Sequence, residues 1–295
     1  MKRSALSVLL VLTIALPLQA QTKLEWKFKE NDRFQQETVT NLKQTLTAGG
    51  QSNVQDFEHV TNTSFTVKKV NQDGSVVLEQ QLDKIKATNR SGPGSPAVSG
   101  LIKQLEDAKF TITLNGKREV TQFDGYEELI KRVASDDATS AKALRDLVKP
   151  ETLRRAAEEA FGFLPESPVN KGDQWKREMQ VSLGPLGAMT ANHTYTYDGP
   201  EMKDGKTLHK ISVVSTLAYT PPKEETGGFP FKITSGDLKT ESAQGVIYFD
   251  ADIGRLASSE MKMKLKGSLS VSVSGESHTL AIEQDQTVAI RLTPR

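Results

Sequence analysis

The chain has 295 residues, in which 38 lysines and arginines nearly balance 37 aspartates and glutamates, and it contains no cysteine. The missing cysteines exclude disulfides, thiolate metal ligands, a thiol nucleophile and a lipid-modified N-terminal cysteine. The balanced charge provides no basic field for nucleic acid.

The N-terminal segment has the pattern of a secretory signal. Lys2 and Arg3 precede an apolar run from Leu6 to Leu16, which is too short for a bilayer-spanning helix of about 20 residues. We predict a signal peptide over residues 1–20, with Ala20 at the cleavage site. Cleavage would leave residues 21–295 and reduce the 38 basic residues to 36, against 37 acidic ones. We therefore expect an exported protein, periplasmic or extracellular, that is neither lipid-anchored nor transmembrane after cleavage.

The first half of the mature chain alternates apolar and polar residues, as a strand with one buried face does. Leu24, Trp26 and Phe28 set the pattern. It recurs at Phe65 and Val67, and at Phe110, Ile112 and Leu114. Asn115-Gly116 predicts a tight hairpin after the last run, because both central positions of a type I′ turn need positive φ.

The period changes from two to about 3.6 between Phe123 and Pro165, which predicts a helical segment there. Pro150 suits the first turn of its last helix, and Gly162 with Pro165 provides a stop. The expected buried faces are Leu129, Ile130 and Val133; Ala141, Leu144, Leu147 and Val148; and Leu153, Ala156, Ala157, Ala160 and Phe161.

The second half returns to strands. Gly172-Asp173-Gln174-Trp175 starts one of them, and Tyr195 and Tyr197 continue the alternation. The clearest pattern runs over the 13 residues from Met261 to Val273, with apolar side chains on odd positions and Lys262, Lys264 and Lys266 opposite. Gly267 interrupts this strand as a bend would. A last strand from Leu280 to Leu292 is expected to return through a turn at Gly275.

The two β regions contain similar turn and loop signals in the same order. These include Asp-Gly turns at Asp73-Gly74 and Asp204-Gly205, and Gly/Pro-rich breaks at 91–100 and 221–230. We interpret this as an internal duplication. The mature chain is then a single β-rich domain, residues 21–295, built from two similar halves, about 24–125 and 170–292. The helical segment 124–165 joins them.

The expected fold class is α+β, mainly β: long antiparallel strands in a strongly curved sheet or half-barrel, with the helical segment (about 124–162) packed on the concave face. Ten strands at 4.8 Å span about 48 Å, whereas three helices at about 10 Å each cover roughly 30 Å. The sheet must therefore curl, split into layers or leave an apolar groove.

A resemblance follows from three features: the Gly-Asp-Gln-Trp strand start, the long strands, and a hairpin with Gly245, Phe249, Asp250 and Gly254. The chain resembles an uncharacterised family of secreted bacterial β-rich proteins of unknown function. In outline it is also similar to the lipoprotein-carrier and lipid-binding half-barrels of the bacterial envelope. That resemblance implies an apolar lining that holds acyl chains, but no individual lining position can be matched, and it transfers no catalytic residue.

Candidate catalytic and metal-binding residues are sparse. His59, His193, His209 and His278 lie far apart, without a second histidine or an acid at metal-helix spacing. We expect each to be a satisfied or solvent-facing strand residue. Serines occur without a Gly-x-Ser-x-Gly elbow, and no glycine-rich phosphate loop opens a helix.

Three acidic or basic groups have simpler interpretations than a functional site. Asp250, Asp252 and Gly254 resemble the start of a calcium loop but lack its remaining ligands, which favours a hairpin turn. The lysines of the 261–273 strand suit a solvated face or edge protection better than anionic lipid headgroups or polysaccharide. Two glutamate pairs suit charged helix faces better than glycoside hydrolysis: Glu127 with Glu128, and Glu158 with Glu159.

These observations predict a non-enzymatic exported envelope protein that binds a lipid or another apolar small molecule. The alternative is a structural or interaction module with a packed interior and no ligand, which engages another envelope protein. No catalytic, metal or cofactor-binding residue is assigned, no cofactor is expected, and the sequence does not identify ligand-binding residues.

Overall fold

The computed structural model of the chain describes residues 21–91, 103–147, 149–182, 187–222 and 232–293. The predicted signal peptide lies outside the described residues. Most of the two Gly/Pro-rich breaks and Val148 also lie outside them.

Eleven antiparallel strands form one sheet within these residues, in the order β5-β4-β3-β2-β1-β11-β10-β9-β8-β7-β6. This confirms the expected mainly β fold with long antiparallel strands. The strands are β1 (Arg33–Ala48), β2 (Gln51–Val70), β3 (Val76–Asn89), β4 (Lys109–Leu114), β5 (Val120–Asp124), β6 (Gln174–Ser182), β7 (Ala188–Lys203), β8 (Lys206–Thr220), β9 (Lys232–Asp250), β10 (Arg255–Val273) and β11 (Glu276–Thr293).

The two chain halves meet in the middle of this sheet. β1 pairs with β11 in a long antiparallel ladder, with Thr38 opposite Ile290. β1 to β5 then extend to one edge of the sheet, and β10 to β6 extend to the other. The helical segment therefore connects the two edge strands, β5 and β6. Duplication of the halves remains a prediction.

The C-terminal strands follow the predicted pattern. β10 is 19 residues long, six more than the run from Met261 to Val273, because it also takes in the residues after Gly254. It turns into β11 at Ser274 and Gly275, whose φ angles of 52° and 88° lie in the left-handed region. The predicted turn at Gly275 is confirmed.

Gly267 marks a close approach between strands rather than a simple interruption. A Cβ atom at this position would overlap the carbonyl oxygen of Asp237 on β9. Gly245, opposite Met261, is equally crowded by the backbone of Glu260. These glycines let the long strands β9 and β10 cross closely as they coil.

Three helices lie between β5 and β6: α1 (Tyr126–Asp136), α2 (Ala138–Leu147) and α3 (Pro150–Gly162). The predicted face of α1 is confirmed by the buried residues Leu129, Ile130 and Val133. In α2 the burial of Ala141 and Leu144 confirms the first part of the predicted face, and the side chains of Leu147 and Val148 lie outside the described part of the chain. The buried residues of both helices pack with Phe110 and Phe123 of β4 and β5. Pro150 stands in the first turn of α3, as predicted.

The predicted buried face of α3 is partly wrong. Ala157 and Phe161 are buried, but Ala156 and Ala160 are exposed. α3 contacts the edge strands β5 and β6 rather than the middle of the sheet. A helix placed along a gap between two edges buries only a narrow stripe, whereas one lying flat on a sheet buries a wide face.

Two local predictions in the first half are also wrong. Leu24, Trp26 and Phe28 form no strand: within residues 21–29 only Thr22 makes a β-bridge, to Val169. The segment is extended, and burial of Leu24 and Trp26 in the core explains its apolar alternation. The β4–β5 hairpin exists, but its positive φ falls on Arg118 rather than on Asn115 and Gly116. The Asn115 side chain accepts bonds from two later backbone amides, which builds a longer loop.

Candidate functional site

The helices and the buried strand residues share one side of the sheet, which we call the inner face. One end of it holds an aromatic cluster around Trp26, whose ring centroid lies 5.4 Å from that of Phe161, 5.6 Å from that of Phe163 and 5.5 Å from that of Phe249. Phe34 and Phe65 stack beside it at 4.8 Å. This end of the inner face is filled by the protein's own side chains.

The C-terminal end of α3 is fixed by side-chain donors. Trp26 Nε1 donates to the carbonyl of Phe161 at 2.8 Å, and Trp175 Nε1 donates to that of Phe163 at 2.8 Å. Arg177 donates to the carbonyls of Gly162 and Leu164. The carbonyls of the last two residues of α3 and of the two residues that follow are thereby satisfied; a helix end leaves its last carbonyls without intrahelical partners.

α3 also joins the two edges of the sheet. Arg154 donates to the Val120 carbonyl of β5 at 3.2 Å, and Arg155 donates to the Gln180 carbonyl of β6 at 2.9 Å. Edge strands carry unpaired backbone groups. α3 therefore covers part of both edges and brings them together.

Next to the packed end, the inner face carries apolar side chains that are only partly buried. We call this set the apolar zone; it consists of Ile247, Met261, Met263, Val288 and Ile290 on β9, β10 and β11. Ile247, Met261 and Ile290 pack against the core that contains the aromatic cluster, and the zone continues that core outward. Flexible methionines are common on surfaces that accommodate varied apolar partners. Gln36, Thr38, Thr61 and Thr63 continue the inner face onto β1 and β2 and give it a polar side.

A buried polar pair lies on the inner face of the second half. His193 of β7 is 8% exposed, and its Nδ1 lies 2.6 Å from Ser215 Oγ on β8. Burial lowers the pKa of His193 below its ordinary value. Its other ring nitrogen, Nε2, is buried and has no hydrogen-bond partner among the described residues. Buried polar atoms are nearly always satisfied, so this atom is an exception that needs an explanation.

Backbone pairing between β8 and β9 ends beside this pair. The ladder between β8 and β9 ends at Val214 and Gln244, although both strands continue. Past this point Thr240 Oγ1 accepts from Leu217 N at 2.9 Å and donates to the Leu217 carbonyl at 3.4 Å. A side chain there replaces part of the backbone ladder.

A cleft of about 270 Å³ lies at the packed end, where Arg255 meets Asp32, Phe34 and Ile253. Arg255 is 6% exposed and donates to the carbonyls of Lys27 and Gly254 and to Asp32. Its guanidinium also lies 4.7 Å from the Phe28 ring and 4.8 Å from the Phe34 ring. Burial lowers the pKa of Arg255, and these contacts identify it as a structural residue that ties the N-terminal segment to the β9–β10 turn.

The four histidines are dispersed, as predicted. His59 and His278 are at least partly exposed, on β2 and β11. His209 Nδ1 lies 2.6 Å from Tyr197 Oη, and burial lowers the pKa of His209. His193 departs from the expectation of a satisfied residue. No group of three or more potential metal-ligating side chains occurs among the described residues.

The structure assigns other roles to the acidic candidates. Asp250 accepts from the backbone amides of Asp252 and Ile253, as in the predicted hairpin turn. Glu127 pairs with Arg145, and Glu158 pairs with Arg154. Glu128 and Glu159 are exposed.

The three lysines of β10 form a neutralised surface. Lys262 pairs with Glu260 at 2.8 Å, Lys264 with Asp285 at 3.2 Å and Lys266 with Glu283 at 2.5 Å. The solvated strand face is therefore the better interpretation. Edge protection is wrong, because β10 lies between β9 and β11.

The pairing of His193 with Ser215 was missed by sequence reasoning. The two residues are 22 positions apart and meet only through the register of β7 with β8. The sequence did contain one signal. His193 lies two and four positions before the aromatic residues Tyr195 and Tyr197, and alternate residues of a strand face the same side, which predicts an inward side chain for His193.

Comparison with known proteins identifies a family whose function is unknown. The model of one family, described as "Family of unknown function (DUF6263)", matches residues 61–279. This confirms the expected resemblance to an uncharacterised family. None of the curated proteins matches the chain.

Two solved structures are similar in outline. One is a candidate exported protein with a YmcC-like fold from Bacteroides fragilis NCTC 9343, with 8% identity, coverage of 92% of this chain and 99% of that one, and a TM-score of 0.29. The other is a DUF1329 family protein from Desulfovibrio piger ATCC 29098, with 12% identity, coverage of 84% and 83%, and a TM-score of 0.13. Within the described residues of this chain, no helix has the length and apolarity needed to cross a membrane.

Proposed function

This chain belongs to the DUF6263 family of unknown function, and from that premise we propose that it is a non-enzymatic exported protein that binds an apolar ligand on its inner face. The ligand class is a lipid or another molecule with an acyl chain. The predicted signal peptide supports export to the periplasm or the exterior. N-terminal sequencing of the secreted protein should begin at Gln21.

The observation that carries this proposal is the apolar zone. Met261 and Met263 lie on the same face of β10 as the buried residue Leu265, yet they are only half-buried. Apolar side chains left partly open on the inside of a sheet gain from a guest that removes them from water, by about 25 cal/mol per Å². An acyl chain, long and without polar groups, suits a zone that extends over three neighbouring strands.

Native mass spectrometry of protein purified from its own cell envelope tests this function. We expect extra mass that organic extraction removes, and uptake of the fluorescent probe N-phenyl-1-naphthylamine by the extracted protein. A clean apoprotein mass together with no uptake of the probe would contradict the proposal.

The second candidate is an interaction module without a ligand. It is favoured by the size of the cleft beside Arg255, about 270 Å³, which is below the ~300–1,000 Å³ usual for small-molecule sites. This module would recruit another envelope protein instead. Affinity purification would then yield a stoichiometric protein partner and no apolar guest.

A further inference from the structure

The unpartnered ring nitrogen of His193 lies in one row with the apolar zone. His193 is opposite Ser215 across β7 and β8. Ala243 follows on β9, one step past the last β8–β9 pair, and it is opposite Met263 of β10. Because residues opposite one another in a sheet lie on the same face, all four side chains are on the inner face. This row therefore crosses four strands, from His193 on β7 to Met263 of the apolar zone on β10.

The surroundings of Ser215 favour one tautomer of His193. The 2.6 Å contact between Nδ1 and Ser215 Oγ allows either atom to be the donor. If Nδ1 donated, the hydroxyl hydrogen of Ser215, which is 4% exposed, would have no side-chain acceptor among the described residues. Donation from Ser215 to Nδ1 avoids this, and the neutral imidazole then carries its proton on Nε2. In this tautomer the unpartnered atom is an N–H donor, and the group it lacks is an acceptor.

The class of acceptor follows from the donor. Arg177 of β6 is the residue opposite His193, but its own donors are directed to three backbone carbonyls and to Glu166. His193 Nε2–H is therefore the donor that remains to be satisfied. Carbonyl and carboxylate oxygens are the usual acceptors of an N–H donor.

We propose that His193 Nε2–H binds the carboxyl or ester carbonyl oxygen of an acyl-chain ligand whose tail lies along the apolar zone. This inference rests on the proposed function and specifies the ligand's polar end. The acyl oxygen completes the hydrogen bonding of a buried donor that lies next to the end of the β8–β9 ladder. Ser215 acts as a positioning residue that sets the tautomer.

The experiment compares two probes that carry an acyl oxygen with a third that does not. 11-(Dansylamino)undecanoic acid and its methyl ester carry an acyl oxygen, whereas N-phenyl-1-naphthylamine has none. For His193→Phe, which keeps an aromatic ring but has no N–H, we expect ~3- to 10-fold weaker binding of the acyl probes. Binding of N-phenyl-1-naphthylamine should be unchanged. The acid and its ester distinguish a carboxylate from an ester carbonyl as the preferred partner.

Two further variants control for folding and position. His193→Gln can place an amide N–H near the same point and should bind the acyl probes within about threefold of the wild type. His278→Phe changes an exposed histidine on β11 and should bind every probe like the wild type. If His193→Phe does not fold, the ¹⁵N shift of His193 Nε2 in the wild-type protein takes its place, and it should move when the acid binds.

The outcomes separate this inference from the proposed function. If N-phenyl-1-naphthylamine and both acyl probes fail to bind the wild type, the proposed binding of an apolar ligand and the proposed role of His193 are both wrong. If all probes bind and His193→Phe weakens none of them, the function stands and the role of His193 is wrong. An unchanged Nε2 shift in the wild type bound to the acid would also overturn it.

Discussion

Arg154 and Arg155, adjacent residues of α3, donate hydrogen bonds to opposite edges of one sheet. Arg154 reaches the Val120 carbonyl of β5, and Arg155 reaches the Gln180 carbonyl of β6. In chain order these edges lie on either side of the helical segment, and the eleven-stranded order places them farthest apart along the sheet. α3 is therefore the element that brings the ends of the sheet together.

Removing both arginines should loosen the edges. Each net hydrogen bond contributes about 1 kcal/mol, so we expect Arg154→Ala with Arg155→Ala to lower the free energy of unfolding by about 1–2 kcal/mol. Amide hydrogen exchange in β5 and β6 should accelerate more than in β1 and β11. Arg145→Ala, which removes the exposed pair with Glu127, is the matched control and should change both by little. Uniform acceleration across the sheet would show that α3 does not hold its edges.

Arg255 should be among the most sensitive charged residues. Its replacement by methionine removes the side-chain donor of the Lys27 carbonyl, the ion pair with Asp32 and the contacts with Phe28 and Phe34. We expect a loss of about 2–3 kcal/mol in urea unfolding. Lys239→Met, at a lysine 76% exposed in its pair with Asp237, should change stability by less than about 0.5 kcal/mol. Equal effects of the two variants would refute a structural role for Arg255.

Gly267 should not tolerate a side chain. A methyl group there overlaps the Asp237 carbonyl, and forcing strands apart in a packed region costs about 1–3 kcal/mol. Gly267→Ala should therefore lower the melting temperature measured by circular dichroism. At Gly162 an added Cβ meets no atom within 4 Å, so Gly162→Ala should be neutral or slightly stabilising. A neutral Gly267→Ala would mean that β9 and β10 do not approach as closely as described.

Acidification should destabilise the protein in part through His193. Burial lowers its folded pKa below the ordinary 6.5, so between these two values the unfolded chain binds a proton that the folded chain does not. The contribution of His193 to the free energy of unfolding is then fully present above about pH 6.5, and it is lost as the pH drops towards the folded pKa. Urea midpoints between pH 8 and 5 should fall less for His193→Gln than for the wild type.

The remaining slope of His193→Gln should include His209, whose folded pKa burial also lowers. His278→Gln, at an exposed side chain, is the control and should keep the wild-type slope. A slope for His193→Gln identical to that of the wild type would contradict burial of a neutral imidazole at His193.

The spacing of apolar residues and the turn signals in the sequence were sufficient to predict strands β10 and β11 and the helical segment. Met261, Met263 and Leu265 lie on the face that their odd spacing predicts, and Leu129, Ile130 and Val133 are buried as a helical stripe. Both patterns arise from contacts along one element and its immediate neighbours. Local sequence therefore contains the information that decides them.

The failures arise from contacts distant in sequence. Trp26 was predicted in a strand, yet its indole donates to Phe161, 135 residues away, and its ring is buried among aromatics from several elements. Ala156 and Ala160 were predicted as buried because their spacing is helical, but only the strand order places α3 at the edges of the sheet. His193 and Ser215 likewise meet through strand register alone, which no local pattern encodes.

Two substitutions one residue apart test the binding surface most directly. Met263→Glu puts a carboxylate on the inner face in the apolar zone, whereas Lys264→Glu puts the same group on the opposite face of β10, where Lys264 is 60% exposed. We expect Met263→Glu to weaken binding of N-phenyl-1-naphthylamine at least about tenfold, because a charge cannot be buried under an apolar guest without a partner. Lys264→Glu should bind the probe like the wild type. Equal binding by the two variants, with both folded, would contradict an apolar ligand site on the inner face.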